Sequence, residues 1–476
     1  MSRFSCIFLV SVIFATGCAK TETDMLSRST TADCVTCESE ALLSGQFVES
    51  EWPHKEWWQD FDDSNLNRLI QIALETSPSL KTAEERLKRA TETAKAQRGY
   101  LFPEIDLTGG TNWQHFGKNS FFRSLGPDVV PPVLNQIDLD LNFIYEFDFW
   151  GKNRALYQAA LDEALSIKAE RDQSILILTT SITYAYFQHQ RAAKKLELLK
   201  KIGQNHEKLV NLTQGRYDHA LDFAVQENSS QQADLEASKS IIQTEEELLL
   251  IEQRIKAMIG VGQDGELAIS PPSISNHNHK TPLPSHLSLD LLARRPDLEA
   301  QLWLVEKSAE EIHVAKTAFY PDINLMAFVG LESLHFNNFF SRQSIMSSLN
   351  PAFHLPIFTA GRLRAQLRER SAAFNEAIQV YNNLVLQAAQ EVAMQLTQIT
   401  KIQQQVDLQN KIVETTAYNT QIAQARFTHA LDPLSIFLNR QNEQFLEEIT
   451  LAELTYARRL ASVLLIRALG GGFFYE

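Results

Sequence analysis

The chain has 476 residues, of which 44% are hydrophobic and 21% charged, enough apolar material for large buried surfaces and too much for a disordered polymer. Its formal net charge of -14 excludes a nucleic-acid surface as the organising feature, because releasing phosphate counterions requires clustered Lys and Arg. Beyond the first residues no apolar run reaches the ~18 residues of a membrane-spanning helix, so any span must be made of strands closed into a barrel.

Residues 1–17 read as a signal peptide, with Arg3 as the positive charge and Phe4 to Phe14 as an apolar stretch too short to cross a bilayer. It ends in Ala15-Thr16-Gly17-Cys18, which resembles a bacterial lipobox with Ala15 where Leu is usual. Cys18 is thus the expected site of a covalent lipid, and an ordinary signal peptide with a chance Cys is the alternative. Acyl chains contribute about 0.8 kcal/mol per buried CH2, so several on Cys18 would hold residues 18–55 at a membrane. Cys34 and Cys37 form a C-x-x-C suited to a local disulfide in an oxidising compartment; no second C-x-x-C is present to complete a zinc site.

From residue 56 the chain is written twice. Ser77-Pro78-Ser79-Leu80 is mirrored by Arg295-Pro296-Asp297-Leu298, an offset of 218 residues that also carries Tyr100-Leu101-Phe102-Pro103 onto Ala318-Phe319-Tyr320-Pro321. Further on the offset is 210: Gly151 and Arg154 meet Gly361 and Arg364, and Arg216 to Asp222 meet Arg426 to Asp432. A change of eight residues between Pro103 and Gly151 is what a surface loop absorbs. The domains expected are a first repeat over 56–262, a Pro-rich linker over 263–288 and a second repeat over 289–476. His277 and His279 sit in that linker without Cys or carboxylate partners, as solvated histidines commonly do.

Each repeat predicts helix, strand pair, very long helix, reversal and long helix. In the first, Ile137, Leu139, Leu141, Phe143, Tyr145, Phe147 and Phe149 alternate with Asp138, Asp140, Asn142, Ile144, Glu146 and Asp148, the two-faced period of a tilted transmembrane strand. A soluble half-buried strand gives the same period, but a packed core would not face four carboxylates. The second repeat alternates more loosely, with Leu349, Phe353, Leu355 and Ile357 against Ser348, Asn350 and His354. No proline interrupts Lys152 to Tyr217 or Arg362 to Phe427, which permits helices of about 65 residues, roughly 100 Å each. Ile175, Leu178, Ile182, Ala185, Ala192, Leu196 and Leu199 mark a coiled-coil seam interrupted by His189, and Leu434, Leu438, Phe445, Ile449, Ala452 and Tyr456 mark another. A poreless coiled-coil rod has the same periodicity; the intervening strands argue against it.

Trp57-Trp58-Gln59-Asp60-Phe61 with Leu66, Leu69 and Ile70, together with Arg294-Arg295-Pro296-Asp297-Leu298 and Ala318-Phe319-Tyr320-Pro321-Asp322-Ile323, resembles the TolC superfamily, in its lipoprotein branch of NodT-type or OprM-like channels. The resemblance spans nearly the whole mature chain. It implies an α+β membrane protein in which four strands per protomer close, in a homotrimer, into a 12-stranded transmembrane β-barrel continued by a long periplasmic α-helical barrel. A lone set of four strands in lipid would leave backbone groups unpaired at several kcal/mol each, which accounts for the trimer. Leu139, Leu141, Phe143, Tyr145 and Phe147 are then expected to face outer-membrane lipid. Arg216, Tyr217, Ala220, Leu221 and Asp222, with Arg426, Phe427, Ala430, Leu431 and Asp432, resemble the hairpin tips that dock a periplasmic adaptor. The family pattern has Gly where this chain has Ala220 and Ala430, which puts the tip geometry in question, and Ile436 and Asn439 stand where relatives carry a constricting acidic ring. The expected partners are the adaptor and an inner-membrane pump of the RND type. No G-x-x-x-x-G-K-[ST], H-E-x-x-H or G-x-S-x-G occurs, so the chain reads as no enzyme and as needing no cofactor beyond its lipid, a passive outer-membrane efflux duct whose driving energy comes from a partner. A lipid-anchored periplasmic adaptor with hairpins and no pore is the alternative from another class.

Overall fold

The computed structural model describes residues 48–50, 52–124, 131–262, 282–284 and 294–475; the signal peptide, Cys18, Cys34, Cys37, His277 and His279 lie outside them. In chain order come β1 (Val48–Ser50), a 3-10 turn at Trp57–Phe61, α1 (Ser64–Thr76), α2 (Pro78–Gly99), β2 (Glu104–His115), the single turn α3 (Phe121–Ser124), β3 (Val133–Glu146), α4 (Lys152–Asp218) and α5 (Ala224–Ile259). Then follow β4 (Pro282–Pro284), α6 (Pro296–Thr317), β5 (Asp322–Ser333), β6 (Ile345–His354), α7 (Arg362–Thr428) and α8 (Leu434–Ala468). The duplication is kept to the residue: β5 is β2 displaced by 218, and α7, like α4 at 67 residues, is α4 displaced by 210. The chain groups into two compact units that cut across the repeats, one drawing Ala90–Ala164 together with Trp303–Val380 and the other holding the remainder of the described helices.

The first unit carries the main sheet, antiparallel throughout in the order β2-β3-β5-β6. β3 ends at Glu146, short of the predicted Phe149, although the Phe147 N–H still reaches the Ile323 carbonyl at 2.9 Å. β6 stops at His354, so Leu355 and Ile357 fall beyond it. Each long helix starts after a glycine in the left-handed region, Gly151 at φ 79° and Gly361 at φ 86°, where a side chain would be strained.

The second unit holds the helical core. Asp63 caps α1 through Oδ1, which accepts the N–H of Asn65 and of Leu66 at 3.0 and 3.2 Å, while its Oδ2 accepts the Tyr186 hydroxyl at 2.7 Å. Burial and that neighbouring carboxylate push the Tyr186 phenol upward. Trp57, Trp58, Leu66, Leu69 and Ile70 lie in one core with Ile182, Ala185, Tyr186, Phe187, Ile255 and Ile259, so the first signature stretch is there for packing. The second signature is an anchor. Arg295, buried, forks onto Asp297 at 3.0 and 2.7 Å and reaches Glu391 at 2.8 Å and the Ala468 carbonyl at 3.2 Å. Charge pairing of this kind is what makes a buried guanidinium tolerable. Of the predicted seam, Leu178, Ile182, Ala185, Ala192 and Leu199 are buried, as are Leu438, Ile449 and Tyr456 on α8. A short parallel pair, β1 with β4, joins the N-terminal segment to the predicted linker.

Candidate channel wall, membrane belt and hairpin tips

In an antiparallel sheet, directly opposed residues share a face. Asp106 opposes Asn142, Asn142 opposes Phe328 and Phe328 opposes Ser348, so every even-numbered residue of the four strands lies on one side and every odd-numbered residue on the other. The even face holds Glu104, Asp106, Asp138, Asp140, Glu146, Asp322 and Glu332, which are all the carboxylates of the four strands, and the strands contain no Lys or Arg. The odd face holds Ile105, Leu107, Trp113, Ile137, Leu139, Leu141, Phe143, Tyr145, Ile323, Leu325, Val329, Leu331, Leu349 and Phe353, and not one of these residues is buried. An apolar-rich odd face against an even face that bears every carboxylate, with β2 and β6 as open edges, is the pattern of a barrel wall waiting for further strands.

The same unit carries an aromatic belt that periodicity alone did not reveal. Tyr100 and Phe102 precede β2, Phe149 and Trp150 follow β3, Tyr320 precedes β5 and Phe358 follows β6, all exposed. Trp150 stacks on Tyr320 with centroids 4.7 Å apart and donates its Nε1–H to the Pro321 carbonyl at 2.9 Å. Phe147, one residue past β3 but still bonded to Ile323, joins this belt: its ring stacks on Phe149 at 5.6 Å and meets Tyr145 edge-on at 5.0 Å. Aromatic rings gathered at one end of two-faced strands are the pattern of a girdle at a membrane–water boundary. The sequence signal was present as aromatics bracketing each strand's end, spread over four separate segments.

In the second unit the two reversals fold alike, and the question raised by the missing glycines is answered: Ala220 and Ala430 take the left-handed conformation at φ 57° and 56°. In each tip the leucine N–H returns to the arginine carbonyl at 2.8 Å, and the alanine N–H bonds the Tyr217 or Phe427 carbonyl at 2.9 Å. Arg216 reaches Asp222 at 3.1 Å; Arg426 grips Asp432 twice, at 2.6 and 3.0 Å, which holds the Asp432 carboxyl below its ordinary range. Ile436 and Asn439 are exposed on the first turns of α8. Gln441, together with buried Asn442, accepts from Asn205 Nδ2, at 2.9 and 2.8 Å, as a polar layer between α4 and α8. His206 lies beside it, 3.5 Å from Asn442, and burial lowers its pKa.

Four two-faced strands with open edges, joined to paired 67-residue helices, define a protomer of an outer-membrane channel, four strands of a trimeric twelve-stranded barrel. A poreless hairpin adaptor has no use for such a sheet. The chain belongs to the outer membrane efflux protein family, whose profile it matches over residues 69–261 and 287–471. It is 28% identical to the multidrug resistance outer membrane protein MdtP of Escherichia coli K12, over 98% of this chain and 96% of that one. Among solved structures, the outer membrane protein VceC of Vibrio cholerae is 30% identical with a TM-score of 0.77, covering 89% of this chain and 100% of its own. The Campylobacter jejuni outer membrane channel CmeC shares the fold at 20% identity, with a TM-score of 0.80 and 91% of each chain covered. The protein is an outer-membrane efflux channel.

Proposed function

We propose that the protein is the lipid-anchored exit duct of a tripartite pump, a homotrimer that conducts small molecules passively from a periplasmic adaptor and an RND-type inner-membrane pump to the outside. The observation that carries this is the division of all four strands into a carboxylate-bearing face and an apolar face, with both sheet edges open. Only a closed ring of such strands satisfies the backbone in lipid while leaving a wet lumen. Cys18 carries the lipid and tethers the N-terminus. The tips at Arg216 to Asp222 and Arg426 to Asp432 dock the adaptor, and Ile436 and Asn439 constrict the tube with an apolar side chain and an amide in place of an acidic ring. The chain does no chemistry and holds no cofactor apart from that lipid.

The test is conductance. Purified full-length protein in a planar bilayer should conduct as a trimer, with larger steps after Ile436→Gly and Asn439→Gly loosen the ring. No conductance from a correctly inserted trimer, with or without those substitutions, would overturn the duct. Cys18→Ser should leave the protein embedded, because the strands hold it; release into the soluble fraction would mean that the lipid alone did.

A further inference from the structure

The two repeats part company where their long helices leave the sheet. At the offset of 210, Glu146, Asp148, Lys152 and Arg154 stand opposite Pro356, Phe358, Arg362 and Arg364. In the first repeat the cations are neutralised locally: Lys152 pairs with Glu146 at 2.8 Å and Arg154 with Asp148 at 3.2 Å. Asp148 also accepts the backbone N–H of Asn153 and Arg154 at 3.1 and 3.0 Å. In the second repeat both carboxylates are gone while both cations remain, joined by Arg368 and Arg370. Arg370 has Glu311 at 2.9 Å, and Arg362 reaches the neutral Gln366 at 3.3 Å. Arg364 and Arg368, one turn apart, are exposed and have no ion-pair partner among the described residues.

The helix dipole does not account for Arg364, because a positive side chain is disfavoured in a helix's first turn. What replaced the carboxylates is apolar: Pro356 stands for Glu146 and Phe358 for Asp148. Phe358 and its neighbour Ile357, the counterpart of Phe147, are 87% and 88% exposed past the end of β6, where the aromatic belt lies. The surface therefore joins an apolar strip that faces lipid to a pair of unneutralised guanidiniums just beyond the membrane boundary.

We propose that this junction binds anionic phospholipid, with Arg364 and Arg368 on the headgroup phosphate and Ile357 and Phe358 against the upper acyl chain. A guanidinium presents a planar fork that matches phosphate oxygens, and the first repeat, with its own carboxylates in place, offers no such surface. The assignment rests on the membrane reading of the strands above. The competing occupant is a carboxylate of a second copy, which would make the arginines an assembly contact.

Full-length trimer is reconstituted into phosphatidylcholine vesicles containing spin-labelled phosphatidylglycerol or spin-labelled phosphatidylcholine, and the fraction of motionally restricted label is read for each. Wild type should retain phosphatidylglycerol preferentially, by about fivefold for each arginine engaged at low salt, with the preference collapsing at high salt. Arg364→Gln with Arg368→Gln should bring the ratio near one. Phe358→Asp, which rebuilds beside Arg364 the carboxylate of the first repeat, should lower the ratio while the trimer persists. Equal retention of both lipids by wild type, or an unchanged ratio in the variants, overturns the proposal. So does loss of the trimer in lipid-free detergent when the arginines are replaced, which would give them to a second copy. Failure of wild type to insert at all overturns the channel reading instead, and with it this one.

Discussion

Leu141 offers the sharpest test of which face meets lipid. It lies five residues before the end of β3 at Glu146 and is flanked by Leu107 on β2 and Val329 on β5. Five residues at ~3.3 Å each are about 17 Å of strand, or about 12 Å of depth at a 45° tilt. That is half of an apolar band ~25 Å tall, so Leu141 sits near the mid-membrane plane, where an arginine costs about 2–4 kcal/mol. Leu141→Arg should therefore lower assembly competence about 30- to 1000-fold per protomer, and every protomer of the trimer bears the cost. The next residue is the control: Asn142 is on the even face directly opposite Asp106, so Asn142→Arg gains a carboxylate neighbour and should assemble normally. The assay is the fraction of membrane-embedded trimer on native gels at matched expression. Wild-type trimer from Leu141→Arg together with its loss from Asn142→Arg would show that the faces are reversed.

Three further perturbations probe the helical unit. A Cβ at Gly470, where φ is 93°, would collide with the Arg294 carbonyl; Gly470→Ala should cost about 2–5 kcal/mol from strain and overpacking and expose the C-terminal segment to protease, and an unchanged cleavage pattern would count against the anchor role of this stretch. Asn442→Leu leaves the buried Asn205 amide with Gln441 as its remaining acceptor and should destabilise by about 1–3 kcal/mol, whereas Leu at both positions should recover much of that; a double variant no better than the single would refute the pairing. The Arg426–Asp432 clamp should be pH dependent: Asp432 titrates below its ordinary range because Arg426 holds the ionised form, so its contribution is full above the usual carboxylate pKa and is lost as pH falls through the lowered one. Hydrogen-exchange protection of the Leu431 amide, which bonds the Arg426 carbonyl, should fall over that range in wild type and be flat in Arg426→Gln.

Much of this architecture was legible because it is local. The absence of proline and the flanking Gly151 and Gly361 delimit α4 and α7 to within a residue of where they end, and strict alternation about Asp138 and Asp140 identifies β3 and its two faces. What sequence did not disclose depends on partners distant in the chain. Tyr186 and Phe187 belong to the core because Trp57 and Trp58 come to meet them, and the β1–β4 pair joins stretches more than 230 residues apart with no apolar pattern to announce it. Phe147 continues the strand's alternation one residue past β3, still bonded to Ile323, and its stack on Phe149 ties it to the belt as well. The exchange of Asp148 for Phe358 could be read off the repeat at once, but its meaning appears only when Asp148 is seen to cap α4 and hold Arg154.

The tips carry the comparison of repeats one step further. A left-handed alanine costs about 1–2 kcal/mol relative to the helical region, and both repeats bear it at the same place, so the hairpins keep one backbone shape in spite of the missing glycine; the leucine-to-arginine backbone bond and the Arg–Asp contact offset the strain in each. Their surfaces nonetheless differ. Phe223, 82% exposed, stands opposite Pro433, and exposed Val225 stands opposite Ser435. For the adaptor docking proposed above, a partner thus meets two tips of equal geometry and unequal chemistry, the first with Leu221, Phe223 and Val225 as an apolar contact and the second with Leu431 beside a rigid proline. Since contact energy at such a surface concentrates in a few apolar anchors, Phe223→Ser should weaken adaptor capture far more than Pro433→Ser. Equal losses would show that the partner reads the shared backbone turn and not the side chains that distinguish the tips.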